Sequence, residues 1–423
     1  MDKRCIKAAV VLLGALAGAS MLDCKSASAL QNGWIQSSPS GYSACFDAAI
    51  NDSGTRAGSC LFRNQEISFV QFGNAPTPTQ LAALPSTANG VPCGITALSN
   101  ASAGAEIIMG WCNDANAVSQ GVFWKSSTPT TAPTLLQPLS GLAPDEQTQA
   151  VAVNSSGVMV GVSISASGTK TPVTWSSTGA ASQLSAPLGS VNANCAPVDI
   201  SDASPPAIVG NCQDAGTGGG NKIVLWNGVS AAYTVLAPPG GGAKSCTALN
   251  VNFLAMVLGQ CDYAGDVTRA VVWGSLRGSG LSVLGSINLN GMSKTYAVDM
   301  NDNGAVACNY LNANGSKQPC LWDPSDSNSN ATAITLPTAN GGIAVAIGNT
   351  GKVVGNYDVS GSGSWLPFST PPYGYTSVSG GSPDGNSSGE QTSVSKMTRG
   401  GAFEAGTWIR VDFVAVDVVK SVP

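Results

Sequence analysis

Short runs in which small and branched apolar residues alternate with polar ones recur along the chain, each broken by a turn signal and resumed after it. The clearest is Ala150-Val151-Ala152-Val153-Asn154-Ser155-Ser156-Gly157-Val158-Met159-Val160-Gly161, continuing to Pro172-Val173-Thr174-Trp175. A period of two over such short runs predicts strands half buried on a sheet. Asn-x-x-Gly between two of them predicts a hairpin. The Asn side chain caps the turn, and Gly takes the left-handed position that ends a three-residue loop. The skeleton returns as Ala48-Ala49-Ile50-Asn51-Asp52-Ser53-Gly54 followed by Gly58, and as Ala297-Val298-Asp299-Met300-Asn301-Asp302-Asn303-Gly304 followed by Cys308. A third strand such as Arg269-Ala270-Val271-Val272-Trp273 and a looser fourth such as Leu281-Ser282-Val283-Leu284 complete the unit.

The residue that closes the second strand serves as an anchor. It gives Gly58, Gly110, Gly161, Gly210, Gly259, Cys308 and Gly355, separated by 52, 51, 49, 49, 49 and 47 residues. An aromatic follows by 14 positions in five copies (Phe72, Trp124, Trp175, Trp273, Trp322), by 16 in the fourth (Trp226) and by 13 in the last (Phe368), so each copy is expected to own one buried ring. Four short antiparallel strands cannot bury both faces of their sheet alone. Stacking copies radially around an axis solves this and leaves only short edges. The expected fold class is therefore all-β: a β-propeller of about seven four-stranded blades with disulfide-stapled hairpins. A β-solenoid is the alternative, although its rungs are normally shorter and parallel.

The cysteines bear on the hairpins. Cys60, Cys112, Cys212 and Cys261 each lie two residues after an anchor, and each has an upstream counterpart in Cys45, Cys93, Cys195 and Cys246. The midpoints of Cys45/Cys60 and Cys246/Cys261 fall at 52.5 and 253.5, the centres of Asn51–Gly54 and Asn252–Ala255. Such cysteines face one another across a hairpin, so the repeat selects Cys45–Cys60, Cys93–Cys112, Cys195–Cys212 and Cys246–Cys261. Cys308 and Cys320 then pair by elimination, linking the second and third strands of their unit. Each closure is worth about 2 to 3 kcal/mol at these loop lengths. Metal thiolates would want CxxC spacing, which is absent.

The start of the chain adds the compartment. Lys3, Arg4 and Lys7 precede an apolar stretch, Ala8 to Leu22, and Ala27-Ser28-Ala29 offers small residues for cleavage, the pattern of a secretory signal over residues 1–29. Cys24 could suggest a lipoprotein, but Leu22-Asp23-Cys24 puts an acid where a small residue is wanted. No transmembrane segment is expected after cleavage. Setting aside the four basic and two acidic residues of 1–29 takes the formal charge from −5 to −7, which opposes phosphate-led attraction and argues against nucleic acid. Charged residues are only 10% of the chain, so hydroxyls and amides must solvate the surface. Residues 30–370 are read as the propeller, 371–400 as a Gly/Ser/Pro-rich segment, and 401–423 as a C-terminal strand. That strand, or the segment around Trp34, is expected to close the ring by pairing strands from opposite ends of the chain.

With Ala49-Ile50-Asn51-Asp52-Ser53-Gly54 and Val153-Asn154-Ser155-Ser156-Gly157 for its first half, and Gln120-Gly121-Val122-Phe123-Trp124, Thr171-Pro172-Val173-Thr174-Trp175 and Arg269-Ala270-Val271-Val272-Trp273 for its second, the unit resembles the HAF family of extracellular repeats. The pattern of that family runs approximately Ala-x-x-Ile-Asn-x-x-Gly-x-Val-x-Gly and then His-Ala-Phe-x-Trp. The resemblance covers about residues 43 to 370, without the histidine. It implies bacterial export and a propeller-like fold, and supplies no catalytic residues.

Chemistry is mostly excluded. The chain has no histidine, which removes Ser-His and Cys-His pairs, histidine bases and nearly all zinc sites. Gly385-Asn386-Ser387-Ser388-Gly389 matches G-x-S-x-G, but within a Gly/Ser-rich stretch that reads as a linker. Asp299-x-Asn301-x-Asn303-Gly304 fits the opening of a calcium loop, yet position twelve is Tyr310 and ordinary hairpin geometry explains the spacing. Gly240-Gly241-Gly242-Ala243-Lys244-Ser245 lacks the Gly-Lys pair of a phosphate loop and reads as a loop between blades. One Trp per copy also suggests a quinone-cofactor propeller, but there the Trp follows a Thr-Gly; rings stacked between blades are the plainer account. Carboxylates such as Asp47, Asp114, Asp262 and Glu404 could pair for glycosidic cleavage, though no spacing singles out two of them. No catalytic residue, cofactor or metal is therefore assigned. The expected function is a non-enzymatic binding or scaffolding module outside the cytoplasm, its polar face suited to neutral glycans or surface proteins. The alternative is a carbohydrate-active enzyme using carboxylates at the channel.

Overall fold

The computed structural model describes residues 34–36, residues 42–370 apart from short connecting segments, and the strands between 376 and 421; the expected signal, 1–29, lies outside the described residues. Every regular element among the described residues is a strand, and the strands form eight four-stranded sheets. Seven sheets each come from one repeat and run in chain order. In the third, Gln147–Val153, Met159–Ile164, Lys170–Trp175 and Ala181–Gln183 pair antiparallel.

The first strands are Tyr42–Ile50, Gly94–Leu98, Gln147–Val153, Cys195–Ile200, Ser245–Val251, Thr295–Met300 and Gly341–Ile347, with Glu390–Met397 in the eighth sheet. Each touches the first strand of the sheet on either side, and Glu390–Met397 touches Tyr42–Ile50, so the eight make a closed cycle around an axis. This is a β-propeller.

The eighth sheet is where the architecture exceeds the seven repeats. Its order is Trp34–Gln36, Val414–Ser421, Phe403–Arg410, Glu390–Met397, so one edge comes from the N-terminal end and three strands from the other. Both segments expected as closure candidates take part, paired to each other. Residues 371–400, read as a Gly/Ser/Pro-rich segment, carry the strands Thr376–Ser377 and Glu390–Met397, and 401–423 supplies two strands where one was expected. These strands lack the Asn-x-x-Gly turn that marks the first, third and sixth copies.

Apolar side chains are buried between sheets. Ile107, Met109, Phe123 and Leu136 of the second sheet pack against Ala150, Met159, Val173 and Trp175 of the third, and equivalent clusters fill the other seams from the first sheet to the seventh. Trp124, Trp175, Trp226, Trp273, Trp322 and Phe368 are all buried, as one ring per copy requires. The first copy departs from this. Gly58 faces Phe69, eleven residues on, whereas Gly110 faces Val122, twelve on. That hairpin is one residue shorter, so Gln71 takes the place of the tryptophan and Phe72 is only partly buried.

The anchor has a steric cause. In all seven repeat sheets the first strand carries a bulge, and the anchor faces the residue just before it, as in Ala150 opposite Gly161, Ala248 opposite Gly259 and Ala297 opposite Cys308. A Cβ on Gly161 would lie 2.0 Å from the Gln149 carbonyl oxygen and 2.9 Å from the Trp175 ring; one on Gly355 would lie 2.1 Å from the Ile343 carbonyl and 2.6 Å from Phe368. Bulge, glycine and ring therefore form one packing unit.

Candidate ligand-binding site

The turn between first and second strands does more than reverse the chain. Asn154 Oδ1 accepts the Val158 N–H at 2.9 Å, which is the expected cap, while its Nδ2 donates across the seam to the Ser201 carbonyl at 3.2 Å. Asn51, Asn252 and Asn301 repeat this toward the carbonyls of Ser99, Asn301 and Gly348. One residue later, the backbone N–H of Asp52, Ser155, Phe253 and Asp302 donates to the side chain of Asn100, Asp202, Asp302 and Asn349 in the next sheet. The tryptophans fasten in the other direction. Nε1 of Trp124, Trp175, Trp226 and Trp273 donates to the carbonyl of Ala82, Gln137, Ser185 and Ala237 in the preceding unit, at 2.6–2.8 Å. Sequence reading gave Asn the cap alone; its recurrence at intervals of one whole unit was the signal for the second bond.

Disulfides join Cys93 to Cys112, Cys195 to Cys212, Cys246 to Cys261 and Cys308 to Cys320. The first joins the residue before the first strand of the second sheet to its second strand, the next two connect first and second strands, and the last connects second and third. Cys60 is disulfide-bonded and lies opposite Cys45 in the strand register; the Cys45 side chain is outside the described residues. Four such bonds indicate an oxidising environment outside the cytoplasm. Among the described residues no helix is long and apolar enough to cross a membrane.

Two of the side chains that open the calcium-like loop, Asp299 and Asn301, have oxygens already engaged. Asn301 Oδ1 accepts from the N–H groups of Asn303 and Ala305, and Asp299 accepts from Met300, Ile347 and Asn250. Gly240-Gly241-Gly242-Ala243-Lys244-Ser245 leads into the first strand of the fifth sheet, and Gly385–Gly389 lies outside the described residues. Of the candidate carboxylates, Asp47 proves to be buried and paired at 3.0 Å with Arg56, which also donates to Gln71. Burial pushes the Asp47 carboxyl above its ordinary value, against the pull of Arg56. Asp114 accepts the Val118 N–H in its own hairpin and Asp262 accepts the Thr268 hydroxyl; the Glu404 side chain is outside the described residues. Asp47, Asp114 and Asp262 belong to the first, second and fifth sheets, each held by its own sheet.

One carboxylate that sequence reading passed over is Glu106, fully buried at the first seam. It accepts from the Ser126 hydroxyl, the Thr55 hydroxyl at 2.9 Å and the Gly104 N–H at 2.6 Å. Burial alone would raise its pKa; the hydrogen bonds from Ser126, its own backbone, Thr55 and Gly104 outweigh that and hold it below 4.5.

A cleft of about 440 Å³ opens at the next seam, on the end of the sheets that carries the Asn turns. Ala101, Ser102, Ala105 and Ile107 form one wall, Ser155, Ser156, Gly157 and Val158 the other, and Trp175, Ser176 and Ser177 a third side. Ser102, Ser156 and Ser177 are exposed, and their hydroxyls make no hydrogen bond among the described residues. The lining carries no charged side chain. It offers hydroxyl donors and acceptors beside the apolar side chains of Ala101, Ala105, Ile107, Val158 and Trp175.

No family model matches the chain, and no curated protein matches it. Among solved structures it is similar to a prolyl endopeptidase, at 9% identity and a TM-score of 0.54, over 86% of this chain and 54% of that one. The chain thus spans about half the length of that enzyme. It is also similar to the β-propeller domain of the trilobed protease from Pyrococcus furiosus (10% identity, TM-score 0.49, 79% of this chain and 97% of that one) and to the six-bladed β-propeller lectin of the fungus Aleuria aurantia (15%, 0.32, 67% and 94%). At such identities the likeness concerns the fold alone.

Proposed function

We propose that the protein is an exported, non-enzymatic binding module that takes a neutral, hydroxyl-bearing ligand, such as a glycan of the cell envelope, in the cleft between its second and third sheets. One observation carries this reading: the cleft presents unengaged serine hydroxyls, while Asp47, Asp114, Asp262 and Glu106 are committed to structural hydrogen bonds. A glycosidic mechanism needs two carboxyl groups about 5 to 9 Å apart and free to act. The secretory-signal pattern read over residues 1–29 and the resemblance to HAF repeats support an extracellular or periplasmic setting, and the disulfides fit it.

The test is a binding screen of the purified mature protein against glycans and cell-envelope fractions, with and without calcium. Saturable binding that weakens at least tenfold in Ser156→Leu and Ser177→Leu, without release of reducing sugar, is the expected result. Turnover of a glycan would replace this reading with an enzymatic one, and binding indifferent to both substitutions would remove the cleft.

A further inference from the structure

Trp111 is 38% exposed, although it sits in the middle of a sheet, on the second strand Ile107–Asn113. Its position, one after the anchor, is filled in the fourth and sixth copies by Asn211 and Asn309. Those side chains clasp the next sheet by bonding both the N–H and the carbonyl of Ala248 and Ala344. A tryptophan cannot make that two-point clasp, so the second copy carries an exposed indole where the fourth and sixth carry a seam fastening. The indole Nε1 makes no hydrogen bond among the described residues.

The surroundings fit a platform. Trp111 stands in a cross-strand row between Gly94 and Gly121. A Cβ on Gly94 would meet the indole at 2.2 Å, so the ring lies against bare backbone there. Cys93 and Cys112, the chain neighbours of Gly94 and Trp111, are joined by a disulfide that fixes the two strands beneath the ring. Two residues along the strand, about 7 Å away, Asn113 faces Ser119 in the register. Strand alternation puts both on the same side of the sheet as Trp111, and neither side chain is hydrogen-bonded among the described residues. An aromatic face with an amide and a hydroxyl beside it, and no charge among the three, matches a sugar ring: axial C–H groups pack on the indole and hydroxyls pair with the polar groups.

We infer that Trp111, Asn113 and Ser119 form a stacking subsite for one pyranose ring of a neutral glycan. It lies toward the opposite end of the sheet from the serine cleft and is separate from it. The inference shares with the proposed function only the premise that the ligand is a glycan.

The probes are soluble β-1,4-, β-1,3- and α-1,4-linked glucose oligosaccharides and N-acetylglucosamine oligomers, titrated into the full mature chain by calorimetry and by tryptophan emission. At least one is expected to bind. Trp111→Ala should weaken it tenfold or more, Trp111→Phe should retain most of the affinity, and Asn113→Ala should weaken it several-fold, all with unchanged far-ultraviolet circular dichroism. If Ser156→Leu abolishes binding and Trp111→Ala does not, the cleft stands and the platform falls. If no oligosaccharide binds, the platform falls as well, and cell-envelope binding then decides the cleft by itself.

Discussion

Ala255 occupies a turn position that is glycine in the first, third and sixth copies: its φ is 58°, in line with Gly54, Gly157 and Gly304 at 76°, 78° and 85°. A Cβ in the left-handed region costs about 1–2 kcal/mol, partly offset by the greater chain entropy of glycine. Ala255→Gly should therefore raise stability by about 1 kcal/mol in a denaturant titration, a rare gain from removing a methyl group. Asn154 separates cap from clasp. Asn154→Asp keeps the acceptor for Val158 but removes the donor to Ser201, and should cost about 1–3 kcal/mol; wild-type stability in that variant would deny the seam bond its role. At this scale the turn glycines and the buried tryptophans were readable in the sequence, because both follow from rules about a single residue. The anchor glycine was visible only as a spacing, since its cause is a bulge on another strand and a ring from a third. Glu106 was not visible at all: its stability comes from Thr55 in the preceding unit and Ser126 twenty residues on, and no local pattern joins them.

Among the elements, the hairpin and its cross-link are the unit that was copied. Closing a loop of 15 residues between Cys246 and Cys261 restricts the unfolded chain by about 3 kcal/mol. The double variant Cys246→Ala/Cys261→Ala should lose roughly that in denaturant while keeping its circular dichroism. The first seam should be sensitive to acid. Because the folded state holds Glu106 below its ordinary value, the stabilisation is complete above about pH 4.5 and disappears as pH falls through the folded pKa. Melting temperatures taken between about pH 3 and 7 should fall steeply on the acid side, and less steeply in Glu106→Gln, whose plateau is lower. Asp47 works against this trend, since its raised pKa contributes stability at low pH that is lost as pH rises through the folded value. Local disulfide pairs were legible because two cysteines equidistant from a turn must meet. The short hairpin of the first copy was not, since placing Phe72 at the tryptophan position assumed equal strand connections.

At the scale of the whole molecule, the seams run from sheet to sheet and the terminal sheet joins the last to the first. Deleting residues 403–421 removes two strands of that sheet and the partner of Trp34–Gln36, opening the ring at the seams it shares with the first and seventh sheets. A substantial fall in melting temperature is expected; an unchanged value would mean the other seven sheets stand without it. The propeller was legible because a unit repeated at 47–52 residues with one unsatisfied face admits few closed solutions. Its closing sheet was only half legible, as alternation revealed strands but no repeat gave their partners.

That closing sheet also sets an order of events. The strand Trp34–Gln36 and its partner Val414–Ser421 lie about 380 residues apart in the chain, with the seven repeat sheets between them. Seven sheets can form from pairings local in sequence, but Trp34–Gln36 keeps a bare edge until Val414–Ser421 reaches it, and during that interval it is the point at which a neighbouring chain could dock in error.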